Sequence, residues 1–172
     1  ESIRFTIHKE TVDIAKLLEN LPLQKVAIYF NLTFLSVDFV KKIDEFAQKT
    51  KAKIFCNLDP IGQLTKDGNW FATKEKTNFE TLNLLSTATT NVSLISINGG
   101  LYQNAGANMV QQIAYSLAHA NEYFNRITTI NQTIVFEISV GSNYFFEIAK
   151  LRALRLLFNL IAKEYNHNLD CH

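Results

Sequence analysis

The sequence predicts an α/β fold built on parallel strands, and three patterns lead there. Five short apolar segments alternate with segments whose apolar residues recur at helical spacing. Strand, helix, strand, helix in strict order gives βαβ units, right-handed crossovers and a parallel sheet. Within the strand-like segments one face is repeatedly polar, a feature that bears on the architecture below.

Ile3-Arg4-Phe5-Thr6-Ile7 alternates apolar and polar residues, the period of a strand. His8 to Asn20 then reads as a helix, with a cap at or just before Thr11 and an apolar face of Val12, Ile14, Ala15, Leu17 and Leu18. Leu21-Pro22-Leu23 closes it. Val26 to Phe30 is the second strand, and Ser36 to Thr50 the second helix, with Val37, Val40, Ile43, Phe46 and Ala47 on one side. Ile54 to Asn57 is the third strand. Asn57-Leu58-Asp59-Pro60-Ile61-Gly62 reads as a turn, because a residue before proline avoids helix and Gly62 permits a tight exit.

Lys66 to Lys76 is the most polar stretch and reads as a loop holding the single tryptophan. Asn69-Trp70-Phe71 within it is expected to pack on the loop itself, an exposed Trp being the mark of an interface. A helix over Thr77 to Thr90 precedes a fourth strand, Leu94 to Asn98. That strand runs into Gly99-Gly100 and then a helix that continues to about Arg126. Ile134 to Ile138 is the fifth strand. Asn143 to Tyr165 is a long helix, with Phe145, Ile148, Ala149, Leu156, Leu160 and Ile161 expected on its buried side. Asn168-Leu169 reads as the start of a sixth strand.

Charge and cysteine usage exclude several classes. Seventeen basic and 16 acidic residues give a net charge of +1 with no basic cluster, so the electrostatic footprint of a nucleic-acid binder is absent. Cys56 and Cys171 stand far apart and imply neither a disulfide framework nor a zinc site. No apolar run approaches the roughly 20 residues of a membrane helix, no signal peptide is visible, and a cytoplasmic location is expected. The chain opens on Glu1 inside a strand-like segment, which suggests a segment of a longer protein. With 172 residues and 47% hydrophobic content, one core and one domain or part of a domain are expected.

Five strands fit either an open doubly wound sheet or part of a (β/α)8 barrel, since a closed barrel takes about 250 residues. Strands covered by helices on both sides are nearly all apolar. Here Arg4 and Thr6, Tyr29 and Asn31, Ser96 and Asn98, Thr133 and Glu137 make a polar face opposite the apolar one. That pattern fits a partial barrel with a wet or ligand-filled lumen.

Few residues suggest chemistry. His8, His119, His167 and His172 are scattered, and His119 between two alanines reads as a surface or packing residue. Gly99, Gly100 and Gly106 are too widely spaced for a dinucleotide fingerprint, though the exit from the strand presents backbone N–H groups. Glu137 on the polar face needs a partner, which Arg4 or Tyr29 could provide, or else it contacts a ligand.

Gln103-Asn104-Ala105-Gly106-Ala107 and Asn143-Tyr144-Phe145-Phe146-Glu147-Ile148-Ala149-Lys150-Leu151-Arg152-Ala153 resemble the adenosylcobalamin-dependent methylmalonyl-CoA mutases. The likeness runs along essentially the whole chain and implies strands two to six of that family's (β/α)8 barrel, with the cobalamin-binding domain outside this segment. The departures carry the functional expectation. Catalytic members have Ser-Gly-Tyr-His before this segment, whereas here Gly100 falls at the Tyr and Leu101 at the His. Leucine cannot donate a hydrogen bond to a thioester carbonyl. The family's Thr-Ile-Gln-Asn-Asp becomes a stretch ending Asn57-Leu58-Asp59, and a substrate-contacting Arg and Phe fall at Thr133 and Glu137.

These losses, with Asn57 to Gly62 and Asp67-Gly68-Asn69-Trp70-Phe71, resemble the small, non-catalytic subunit of the heterodimeric mutases. The resemblance implies a large catalytic subunit as partner and adenosylcobalamin in the holoenzyme, with none bound by this segment. Asn98, Tyr102, Gln103, Asn104 and Glu137 remain candidate ligand or lumen residues, with no catalytic residue and no metal site. Two other readings stay open: a working acyl-CoA mutase in which Tyr102, Gln103 or Asn104 takes the polar role, and a small-ligand module on an open sheet. Asp170-Cys171-His172 could begin an Asp-x-His-x-x-Gly cobalamin motif. A partial barrel would also leave unpaired edges at Ile3–Ile7 and Ile134–Ile138, and self-association of the segment is expected from them.

Overall fold

A computed structural model describes residues 1–130, 132–167, 169, 171 and 172. Five strands, β1 (Ser2–Ile7), β2 (Ala27–Leu32), β3 (Ile54–Leu58), β4 (Val92–Asn98) and β5 (Val135–Glu137), form one sheet in the order of the chain. Every neighbouring pair is parallel. Among the described residues seven helices lie between and after them: α1 (Ile14–Leu18), α2 (Val37–Thr50), α3 (Pro60–Asp67), α4 (Glu75–Ala88), α5 (Gly100–Asn104), α6 (Met109–Arg126) and α7 (Tyr144–Glu164). Sequential parallel order with helices on one side is the arrangement of a barrel wall, and the sheet curls accordingly into a half-barrel.

The apolar face is where the alternation puts it. Ile28, Phe30, Ile54, Cys56, Leu58 and Ile97 are buried under the helices with Val40 and Ile43 of α2, Leu82 and Leu85 of α4, Leu117 and Ala120 of α6 and Leu154 and Phe158 of α7. Polar side chains start α1, α2, α3, α6 and α7. The Ser36 hydroxyl accepts from the Phe39 amide, and Asn143 accepts from Phe146 at the start of α7. Trp70 packs edge-on against Phe79 of α4 at 5.9 Å, on the core and not on its own loop as expected.

Several expectations are corrected. The helix placed over His8 to Asn20 shrinks to α1, because Asp13 rather than Thr11 caps it, accepting from the Lys16 amide at 3.2 Å. Residues 57–62, read as a turn, instead lead into α3. Asp59 itself is non-helical (φ −139°, ψ 75°), as its place before proline favours, but Pro60 fills the first helical position, where its missing N–H costs nothing. The helix expected from Gly100 to Arg126 is two helices. Gly106 at φ +99° breaks it, and Asn108 with Gln111 opens α6 through a reciprocal capping box.

The buried side of α7 is also different. Lys150, Leu154, Phe158 and Ala162 face inward, while Phe145, Leu156 and Leu160 are 78%, 63% and 52% exposed. Ile148 and Ile161 are half-buried and Ala149 is exposed. The helix is apolar on nearly every side, so the spacing of one stripe does not tell which stripe packs. Finally, the far edge of β5 is not bare: Ile134 bridges Cys171 in parallel, His172 N–H donates to the Ile134 carbonyl at 3.0 Å, and Phe136 N–H donates to the His172 carbonyl at 2.9 Å. The expected sixth strand starting at Asn168 lies partly outside the described residues.

Candidate functional site

The concave face of the sheet carries the polar residues. Arg4 on β1 and Glu137 on β5 form an ion pair at 3.1 Å. The Asn57 amide on β3 donates to the Asn31 carbonyl oxygen at 2.7 Å and to Glu137 at 3.1 Å. Below this row the rings of Tyr29 and Phe55 stack at 4.6 Å, and His172 stacks on Phe55 at 5.0 Å with its Nε2 2.5 Å from the Tyr29 hydroxyl. Burial pushes the His172 pKa down, and the nearby Lys53 and Arg155 charges push the same way. Of the two partners expected for Glu137, Arg4 is the one that meets it.

Two clefts open at the carboxyl ends of the strands, of about 580 and 260 Å³. Asn98, Leu101 and Glu137 line both, so Glu137 stands in a shared wall. Gly100 and Asn104 line the larger. The structure thus brings together Asn98, Gly100, Leu101, Asn104 and Glu137. Tyr102 turns elsewhere: its hydroxyl lies 3.0 Å from Nδ1 of His119, and burial, reinforced by the Asp59 charge, raises its pKa to about 12. Gln103 lines neither cleft; its carbonyl accepts from the Gly106 amide at 2.9 Å. Gly99 is fixed by packing, since a Cβ there would collide with the Ser116 hydroxyl and the Ile138 side chain. Thr133 lies at the opposite mouth of the lumen, in a cleft of about 390 Å³ shared with Lys53, Arg155 and His172.

The sequence reading missed a buried polar centre behind this loop. Asp59, at the end of β3, accepts from the Gly62 amide at 2.8 Å, the Asn98 amide at 2.9 Å and the Tyr123 hydroxyl at 2.7 Å. His119 Nε2 lies 2.9 Å from the same carboxylate, so His119 is a buried bridge between Asp59 and Tyr102, not a surface residue. Burial alone would raise the Asp59 pKa, but His119, Tyr123 and the Asn98 amide outweigh it and hold the carboxyl below its ordinary range. Burial and the Asp59 charge hold the Tyr123 hydroxyl well above its ordinary value. Gln112, Ser116, His119 and Tyr123 are all buried on one face of α6. A polar residue every third or fourth position on an inward helix face was the available signal.

This centre ties the ends of β3 and β4 to α3, α5 and α6. It holds the loop that lines both clefts, and Asp59 itself reaches the wall of the smaller one. Lys150 plays a similar part at the next strand: buried and paired with Glu147, its ammonium donates to the Ser139 carbonyl at 2.6 Å, fixing the connection from β5 to α7.

The cleft side chains do not fit adenosylcobalamin, the group implied by the resemblance. The imidazole facing the lumen, His172, is stacked on Phe55 and hydrogen-bonded to the Tyr29 hydroxyl, and Leu101 offers no polar atom. Asp170 of the candidate cobalamin motif lies outside the described residues. Among those described, no cluster of three or more His, Cys, Asp or Glu side chains is arranged to hold a metal ion, and no helix is long and apolar enough to cross a membrane.

Comparison with known proteins agrees with the geometry. A family profile described as methylmalonyl-CoA mutase matches residues 7–170. The methylmalonyl-CoA mutase of Cereibacter sphaeroides is 41% identical over 78 residues, covering 41% of this chain and 11% of that protein. The small subunit of the Porphyromonas gingivalis mutase is 35% identical over 79 residues, 42% of this chain and 13% of that protein. The large subunit from the same organism is 36% identical over 78 residues, 41% of this chain and 11% of its own length. The aligned stretches therefore span a small part of each relative. With a match over nearly its whole length and a half-barrel of the expected strand order, the chain belongs to the methylmalonyl-CoA mutase family.

Proposed function

We propose that the chain is a barrel segment of the small, non-catalytic subunit of a cytoplasmic methylmalonyl-CoA mutase. In this reading a large catalytic subunit is its partner, adenosylcobalamin belongs to the holoenzyme, and the cobalamin-binding domain lies outside this segment. Identity does not separate the two subunit types, at 35% to one and 36% to the other, so the reading rests on the site. Leu101 carries it. The residue at the position of the family's histidine lines the cleft with an aliphatic side chain, and no donor stands there for a thioester oxygen.

The placement of Tyr102 works against a mutase of altered specificity. Its hydroxyl is engaged by His119 behind the loop, so it does not replace the missing donor in the cleft. Gln103 lines neither cleft, which leaves Asn104 as the polar residue of the three at the larger one. Isothermal titration of the full-length protein with methylmalonyl-CoA tests the reading. No heat of binding is expected; a saturable heat would overturn it.

A further inference from the structure

Arg4 and Asn57 both point donors at one place in the lumen, and the chain's own Glu137 fills it. The guanidinium is 3.1 Å from one oxygen of that carboxylate and the Asn57 amide 3.1 Å from the other. Each donor is also held from outside the pair. The Arg4 guanidinium lies over the Tyr29 ring, 5.9 Å from its centre, and Asn57 is fixed by Asn31 at 2.7 Å. Both would therefore keep their orientation with the carboxylate gone, which is what preorganised recognition requires. A guanidinium and a side-chain amide converging on two oxygens is a carboxylate receptor, and Arg is the residue suited to it.

Two further observations say that the place is a site and not only a packed pair. Glu137 is the partition between the two clefts, of about 580 and 260 Å³, and either has room for a small acid once the side chain is shortened. The Arg4 side chain is 49% exposed, so the place is reached from solvent.

We propose that Arg4 and Asn57 form a latent carboxylate-binding site in the lumen, which Glu137 occupies and closes from within. Glu137 thus acts as a built-in ligand that keeps outside acids from the barrel axis. The inference goes beyond the subunit role above and needs no catalysis, so its test and the tests of that role fail independently.

The experiment is a thermal-unfolding titration of the full chain with sodium acetate and sodium succinate, against sodium chloride at matched ionic strength. For Glu137→Ala, acetate or succinate is expected to raise the midpoint progressively, as a ligand of the folded state does, and to bind at least about tenfold more tightly than to the wild type. The wild type should respond to acetate no more than to chloride. Adding Arg4→Ala to Glu137→Ala should abolish the response. Should the alanine variant not fold, Glu137→Ser keeps a small polar group in the lumen and carries the same expectation. A Glu137 variant that responds equally to acetate and chloride, or a double variant that keeps the acetate response, would overturn the proposal.

Discussion

Arg4 and Glu137 stand on the two outermost named strands of a five-stranded sheet, yet their charged ends meet at 3.1 Å. In a flat sheet four strand spacings would separate the backbones by about 19 Å, more than the two side chains can bridge. The contact thus requires the sheet to curl until its edges face each other. It marks the inside of the half-barrel as surely as the buried aliphatic face marks the outside.

The energy of that pair is expected to be small despite its position. Both groups keep contact with solvent, and such pairs couple by about 0.2–1 kcal/mol. A double-mutant cycle of Arg4→Ala and Glu137→Ala, followed by urea unfolding, should return a coupling in that range. A coupling of several kcal/mol would mean a drier lumen.

Asp59 is a different case. It is 8% exposed, accepts from the Gly62 and Asn98 amides and the Tyr123 hydroxyl and lies 2.9 Å from His119, partners on α3, β4 and α6, so Asp59→Ala should cost about 3–5 kcal/mol in urea unfolding by stranding them. Its folded pKa lies below the unfolded value, so its contribution is present above the ordinary carboxylate range and lost as pH falls through the folded pKa. The stability gap between wild type and Asp59→Asn should accordingly be full near neutral pH and narrow below about pH 4.

Tyr102→Phe removes the hydroxyl that links α5 to His119. The global loss should be about 1 kcal/mol, but the amides of Ala105, Gly106 and Ala107, which close the end of α5, should exchange distinctly faster. Hydrogen exchange that rises evenly across the chain would argue against a local anchor.

Gly99→Ala should destabilise by about 1–3 kcal/mol, since the new methyl meets the Ser116 hydroxyl and Ile138 in a packed corner. Equilibrium unfolding checks it, and Gly99→Ala combined with Ser116→Gly should recover part of the loss.

Much of this arrangement was legible in the sequence. Period-two alternation in Ile3–Ile7 and Ile134–Ile138 located strands and separated a lumen face from a helix face, because in a barrel wall those faces meet different surroundings. That placed Arg4 and Tyr29 as the two possible partners of Glu137 on the lumen face, and Arg4 is the one that meets it. Asp59 and His119 were not legible, since they are 60 positions apart in the chain and their meeting depends on how α6 lies over the ends of β3 and β4. The Asp-Pro step signalled a break in helix for Asp59 alone, and α3 begins on the very next residue. On α7 the apolar residues exceed what one face can bury, so tertiary packing, not spacing, chose Leu154 and Phe158 over Leu156 and Leu160.

The most direct measurement is turnover of methylmalonyl-CoA to succinyl-CoA by the full-length protein supplied with adenosylcobalamin, first alone and then with its large subunit. The proposed non-catalytic role predicts no turnover from the protein alone and turnover on adding the large subunit. Succinyl-CoA formed by the protein alone would contradict the non-catalytic role.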